Sequence, residues 1–112
     1  MGLKVIWSDF ADGVLSKVFS YYKYNASITI VKRLATDIVN ETIRLAYNPY
    51  IGQKELLLNN YDGDFRYIVF KNYKIIYQVN LDNEQVQVVH LLDARQNPNK
   101  ISEFLKNSED TP

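Results

Sequence analysis

One histidine and three cations are the residues of this chain whose chemistry invites a functional reading: His90 within VVHLLD, Arg66 opening FRYIVF, Lys74 within YKIIYQVN, and Arg95 after LLDA. An imidazole with an ordinary pKa near 6.5 can exchange a proton at neutral pH. Guanidinium and ammonium groups can steady a phosphate. Each also has a plainer role. Alternation along QVQVVHLLDA groups His90 with Val86, Val88 and Leu92 as a hydrogen-bonded sheet residue. Arg66 stands two residues from Asp64, and Arg95 two residues from Asp93, so a local ion pair can hold either one. Lys74 is opposite in parity to Tyr73, Ile75, Tyr77 and Val79, which puts it on the solvent face of a half-exposed strand.

Other chemistries are excluded by type or spacing. There is no cysteine, hence no disulfide, zinc-thiolate site or cysteine nucleophile. A lone histidine among scattered carboxylates has no metal-ligand spacing. No GxSxG, P-loop or GxGxxG is present. Neither a metal nor a cofactor is expected. Nine tyrosines could stack on bases, but most alternate into strands or lie on apolar helix faces, as core or rim residues do. Tyr21, Tyr22 and Tyr24 read as the hydrophobic closure of a helical hairpin, with an interaction patch as the alternative.

The elements that must position these residues follow from pattern. At 112 residues the chain is one domain, 1–112, with a polar tail fraying from about residue 102. LKVIW is a strand. Ser8 caps a first helix with Asp9 and Asp12 in its first turn, and Val14, Val18 and Tyr22 fall on one face beside Leu15 and Phe19. Gly13 weakens this helix by about 1 kcal/mol relative to alanine. A second helix begins after Ser27 and carries Val31, Leu34, Ala35, Ile38, Thr42, Leu45 and Ala46 on its apolar side, until Pro49 stops it. The short connection makes the two an αα-hairpin. NPYIGQKELL and NNYDGD read as turns and loops. FRYIVF, YKIIYQVN and QVQVVHLLDA form a β-meander. The order β-α-α-β-β-β specifies an α+β fold, in which an N-terminal strand and an αα-hairpin pack on a small antiparallel sheet.

Formal charge is zero, and the segment from Ser102 sets Glu103, Glu109 and Asp110 against Lys106, leaving +2 on the rest. That balance argues against a general nucleic-acid binder, which needs a surplus of cations. No leader pattern opens the chain and no apolar run approaches a membrane span, so a cytoplasmic protein is expected.

Four motifs in this order carry a family resemblance: VIWSDFA before the first helix, NPYIG after the second, the arginine-led FRYIVF with YKIIYQV, and VVHLLDARQNP closing the sheet. The sequence resembles the RelE/ParE toxin superfamily of type II toxin–antitoxin and plasmid-stabilisation systems, closer to its ParE-like members. The resemblance implies a cognate antitoxin that wraps and neutralises the protein. It also implies one of two activities. RelE-like members cut messenger RNA in the ribosomal A site without a metal; ParE-like members poison DNA gyrase and have no established catalytic residues.

Metal-free RNA cleavage needs a base, a cation for the pentacoordinate phosphate and an acid. By position Arg66 matches a strand lysine of RNA-cleaving members, Lys74 an arginine of the next strand, and Arg95 the arginine ending the last strand. Ile68 replaces a second lysine, and no tyrosine or histidine follows Arg95. On the nuclease reading, Arg66, Lys74 and Arg95 supply charge while His90 or Tyr77 transfers protons. The missing terminal acid or base, worth about 10²–10⁴ in rate, turns the reading toward a ParE-like toxin that binds its target. Its working surfaces would be the segment Pro98 to Leu105 and a face bearing Arg66, Lys74 and Arg95. A scaffold that has lost toxicity is the third possibility.

Overall fold

The computed structural model describes residues 2–95 and 98–105. The elements run β1 (Lys4–Trp7), α1 (Asp9–Asn25), α2 (Ile28–Ile43), β2 (Gln53–Lys54), β3 (Phe65–Phe70), β4 (Tyr73–Asn80) and β5 (Gln85–Asp93). Short 3-10 turns lie at Arg44–Ala46, Leu56–Leu58 and Pro98–Ser102. Both helices start on serines that accept a backbone hydrogen bond: Ser8 Oγ from Ala11 N–H at 3.1 Å, Ser27 Oγ from Ile30 N–H at 3.3 Å. Helix α2 becomes a 3-10 turn at Arg44, before Pro49 is reached.

The sheet order is β1-β5-β4-β3-β2. The meander β3-β4-β5 is antiparallel, β2 adds antiparallel to β3, and β1 returns to the far edge in parallel with β5. This is the α+β arrangement expected, with a two-residue strand drawn from the NPYIGQKELL stretch. Trp7 ties β1 to the hairpin, its indole N–H donating to the Thr42 hydroxyl at 3.3 Å.

Both faces of the sheet are covered. Helices α1 and α2 close one, with Ala11, Ile38 and Leu45 against Ile68, Ile75, Tyr77, Val86, Val88 and Leu91. On the other, Leu58, Ile101 and Phe104 bury Phe65, Ile76, Val89 and Leu92. Phe104 meets Phe65 edge-on at 5.6 Å, so the chain joins the core beyond Ser102, where a polar tail was expected to begin; residues 106–112 lie outside the described residues.

A β-bulge corrects the expected place of His90. The β4–β5 register shifts between Ile76, opposite His90, and Tyr77, opposite Val88, leaving Val89 as the extra residue. Past the bulge alternation restarts, so His90 shares a face with Leu92 but not with Val86 and Val88. The tyrosine cluster also departs from its reading as hairpin closure. Tyr21 and Tyr24 are exposed, and Tyr22 alone turns inward to hydrogen-bond Tyr73.

Candidate functional site

Each cation expected to contact phosphate is bound to a carboxylate of this chain. Arg66 Nε donates to Asp64 Oδ1 at 3.1 Å, Nη1 donates to the Gly52 carbonyl at 3.1 Å, and the guanidinium covers the Tyr50 ring at 4.9 Å. The same stretch is gripped from below by Tyr77, whose buried hydroxyl donates to the Pro49 carbonyl at 2.7 Å and accepts from Gly52 N–H at 3.0 Å. Burial raises the Tyr77 pKa, against the lowering effect of the Gly52 hydrogen bond. A Cβ at residue 52 would lie 2.6 Å from both the Tyr67 carbonyl and the Tyr77 hydroxyl. The NPYIG motif is thus a loop whose glycine admits two clamps.

Lys74 forms an ion pair with Glu55 and lies over the Tyr67 ring, 4.1 Å from its centroid. Glu55 is 4% exposed, and its other oxygen accepts Leu57 N–H at 3.2 Å, capping the turn Leu56–Leu58. Lys74 therefore departs from its expected place on a solvent face, because that turn and the C-terminal turn cover it. Arg95 makes a two-pronged pair with Asp93, Nε to Oδ1 at 3.0 Å and Nη2 to Oδ2 at 2.8 Å. These bonds hold the Asp93 carboxyl down at about 2 and raise the guanidinium above its ordinary value.

The three cations do not share a face. Arg66 pairs across from Tyr77 on the helix side, whereas Lys74 pairs across from Leu92 on the opposite side. Asp93, the anchor of Arg95, stands opposite Tyr73. Tyr73 and Tyr77 are four residues apart on β4, about 13 Å along a strand. Arg66 and Arg95 are further divided by β4 itself, which runs between β3 and β5.

His90 is 2% exposed. Its Nδ1 accepts Leu91 N–H at 2.8 Å and its Nε2 is 3.0 Å from the Lys100 carbonyl, so the neutral ring with hydrogen on Nε2 satisfies both bonds. Phe10 and Phe104 contact the ring edge-on, with centroids at 4.9 and 6.1 Å. Burial lowers its pKa, outweighing the Lys100 hydrogen bond and the Glu103 carboxylate that favour the charged form.

Beside His90 opens a groove of about 900 Å³. β1 pairs only with Gln85–Val88, so β5 continues past it with no strand on that side among the described residues. α1 flanks the gap with Phe10, Gly13, Val14, Lys17 and Val18, and Lys100 and Glu103 border it from the C-terminal turn. Tyr73 and Tyr22 meet near the Asp93–Arg95 end, where burial and the shared hydrogen bond raise the Tyr73 pKa.

A family model described as "ParE toxin of type II toxin-antitoxin system, parDE" matches residues 5–98. The chain belongs to the ParE toxin family. No curated protein matches its sequence. Among solved structures, a chain described as "Chromosomal ParDE TA system from P. aeruginosa" is 15% identical, with a TM-score of 0.64 over 80% of this chain and 92% of that one. At that identity the likeness is one of fold.

In this ParE-family chain the groove brings His90 and Arg95 into one neighbourhood and leaves Arg66 and Lys74 outside it. Sequence reasoning missed the groove, because Val14 and Val18 look like ordinary core positions. Their i, i+4 spacing with Phe10 and Tyr22 was the available signal. No three potential metal-ligating side chains converge among the described residues. No described helix is long and apolar enough to cross a membrane.

Proposed function

We propose that this ParE-family toxin arrests growth by binding a cellular target, DNA gyrase being the candidate, and that its cognate antitoxin occupies the groove along α1. The observation that carries the first half is the dispersal of the cations. A phosphate in the act of cleavage needs its charge-stabilising donors within about 3 Å of one point. Arg66, Lys74 and Arg95 lie on two faces of the sheet, each held by its own carboxylate. His90 and Tyr77 are buried, with their polar atoms bonded to backbone. On this reading all five are structural.

What supports this place for the antitoxin is the groove's two surfaces: an apolar helix flank and a β5 edge with no neighbouring strand among the described residues. An amphipathic helix or an added strand matches these. Gly13 gives a selective test, since a Cβ there meets nothing within 4 Å. Gly13→Leu should stabilise α1 by about 0.5–1 kcal/mol while its side chain fills the groove. The expected result is a folded, toxic variant that its co-expressed cognate antitoxin no longer neutralises. Full neutralisation of Gly13→Leu would place the antitoxin elsewhere. The target half is tested by adding the purified chain to gyrase during DNA supercoiling, where inhibition is expected and unimpaired supercoiling counts against it.

A further inference from the structure

The wall of the groove formed by the C-terminal turn is fastened to the sheet through His90, and we infer that His90 is a positioning residue whose protonation releases that wall. The seating of the ring, with both nitrogens bonded at once, is specific to the neutral form. Nε2–H donates to the Lys100 carbonyl, and Nδ1 must be bare to accept Leu91 N–H at 2.8 Å. A second ring proton would point at that N–H, placing two donors face to face in a site that is 2% exposed. The ring must then leave its seat between Phe10 and Phe104, and Lys100 loses its tie.

Among the described residues the one carboxylate within ion-pair range of the ring, that of Glu103, is screened by its exposure to solvent. Asp9 and Lys17 face the groove from α1, Asp93 and Arg95 from the end of β5, and Lys100 and Glu103 from the turn. Glu103 comes within ion-pair range of Nε2, at 3.9 Å, and is 44% exposed. Asp93 is engaged by Arg95. β4 presents Ile76 opposite His90, and nearby Lys74 is occupied by Glu55. Ile101 and Phe104 add apolar packing between the turn and the sheet. Release therefore loosens residues 98–105 while leaving the helix side of the sheet intact. Loss of partner at low pH rests in addition on the groove being the antitoxin site; the latch itself does not.

Amide hydrogen exchange on the full chain tests the latch without any partner. Between neutral pH and about pH 5, protection of Ile101 to Leu105, corrected for intrinsic exchange, should fall by about tenfold or more while β4 amides keep theirs. In His90→Gln the amide can donate to Lys100 and accept from Leu91 at any pH, so protection should hold throughout. Retained wild-type protection at pH 5, loss in step with β4, or the same loss in His90→Gln would each overturn the proposal. Should His90→Gln fold poorly, the wild type suffices, because its single imidazole gives one titrating NMR signal. That midpoint should coincide with the shift changes of residues 101–105, and a mismatch refutes the coupling.

Discussion

Replacing Lys74 with methionine keeps the length of the side chain and removes its charge, leaving Glu55 at 4% exposure with no cation. Breaking one partner of a buried pair typically costs about 3–5 kcal/mol. Lys74 is 24% exposed and its ammonium is partly screened, so the expected loss is smaller, about 2–3 kcal/mol. With a urea slope of about 1.5 kcal/mol per molar, the unfolding midpoint should drop by about 1.5 M. Glu55→Gln in the same chain preserves an acceptor for Leu57 N–H and removes the stranded charge. The double variant should regain more than half of the loss, a coupling of about 1–2 kcal/mol. A midpoint for Lys74→Met within about 0.3 M of wild type would refute the view of Lys74 as a structural clasp. Growth inhibition by Lys74→Met should track the amount of folded protein in the cell.

Tyr77→Phe leaves the Gly52 N–H and the Pro49 carbonyl without their partner and should destabilise the fold by about 2–4 kcal/mol, read by the same unfolding assay; an unchanged midpoint would mean that water replaces the hydroxyl. Arg95→Ala should leave stability nearly unchanged and let the Asp93 carboxyl rise from about 2 toward its ordinary 3.8, as followed by NMR titration. His90 sets a sign for pH dependence. Its folded pKa is lowered from 6.5, so the unfolded chain takes the proton first and stability should fall as pH drops below 6.5; His90→Gln should flatten that part of the profile.

How far the sequence could be read depended on how local each determinant is. Ser8 and Ser27 announce their helices because a cap and its N–H are three residues apart. The Arg66–Asp64 and Arg95–Asp93 pairs are legible for the same reason, at two residues. Lys74 and Glu55 are not: their meeting requires Gln53–Lys54 to be a strand, and two residues without alternation carry no pattern. The covering of the second sheet face was hidden too, since Leu58, Ile101 and Phe104 come from stretches rich in turn formers and polar residues. His90 shows the limit most directly. Strand parity gave its face correctly only up to the bulge, and one inserted valine reversed it. The family motifs marked positions that matter without revealing why: NPYIG is itself the loop gripped by Tyr77 and Arg66, a role visible once β3 and β4 are paired.

On the proposed reading this toxin works by binding a target and not by cutting RNA. Mapping transcript 5′ ends in the first minutes after induced expression tests it most directly, in cells whose growth the protein arrests. Intact transcripts accompanied by a DNA-damage response are the expected result. Transcripts cut at codon boundaries, with the cuts disappearing in Arg95→Ala, would contradict it and return the cations to a catalytic role.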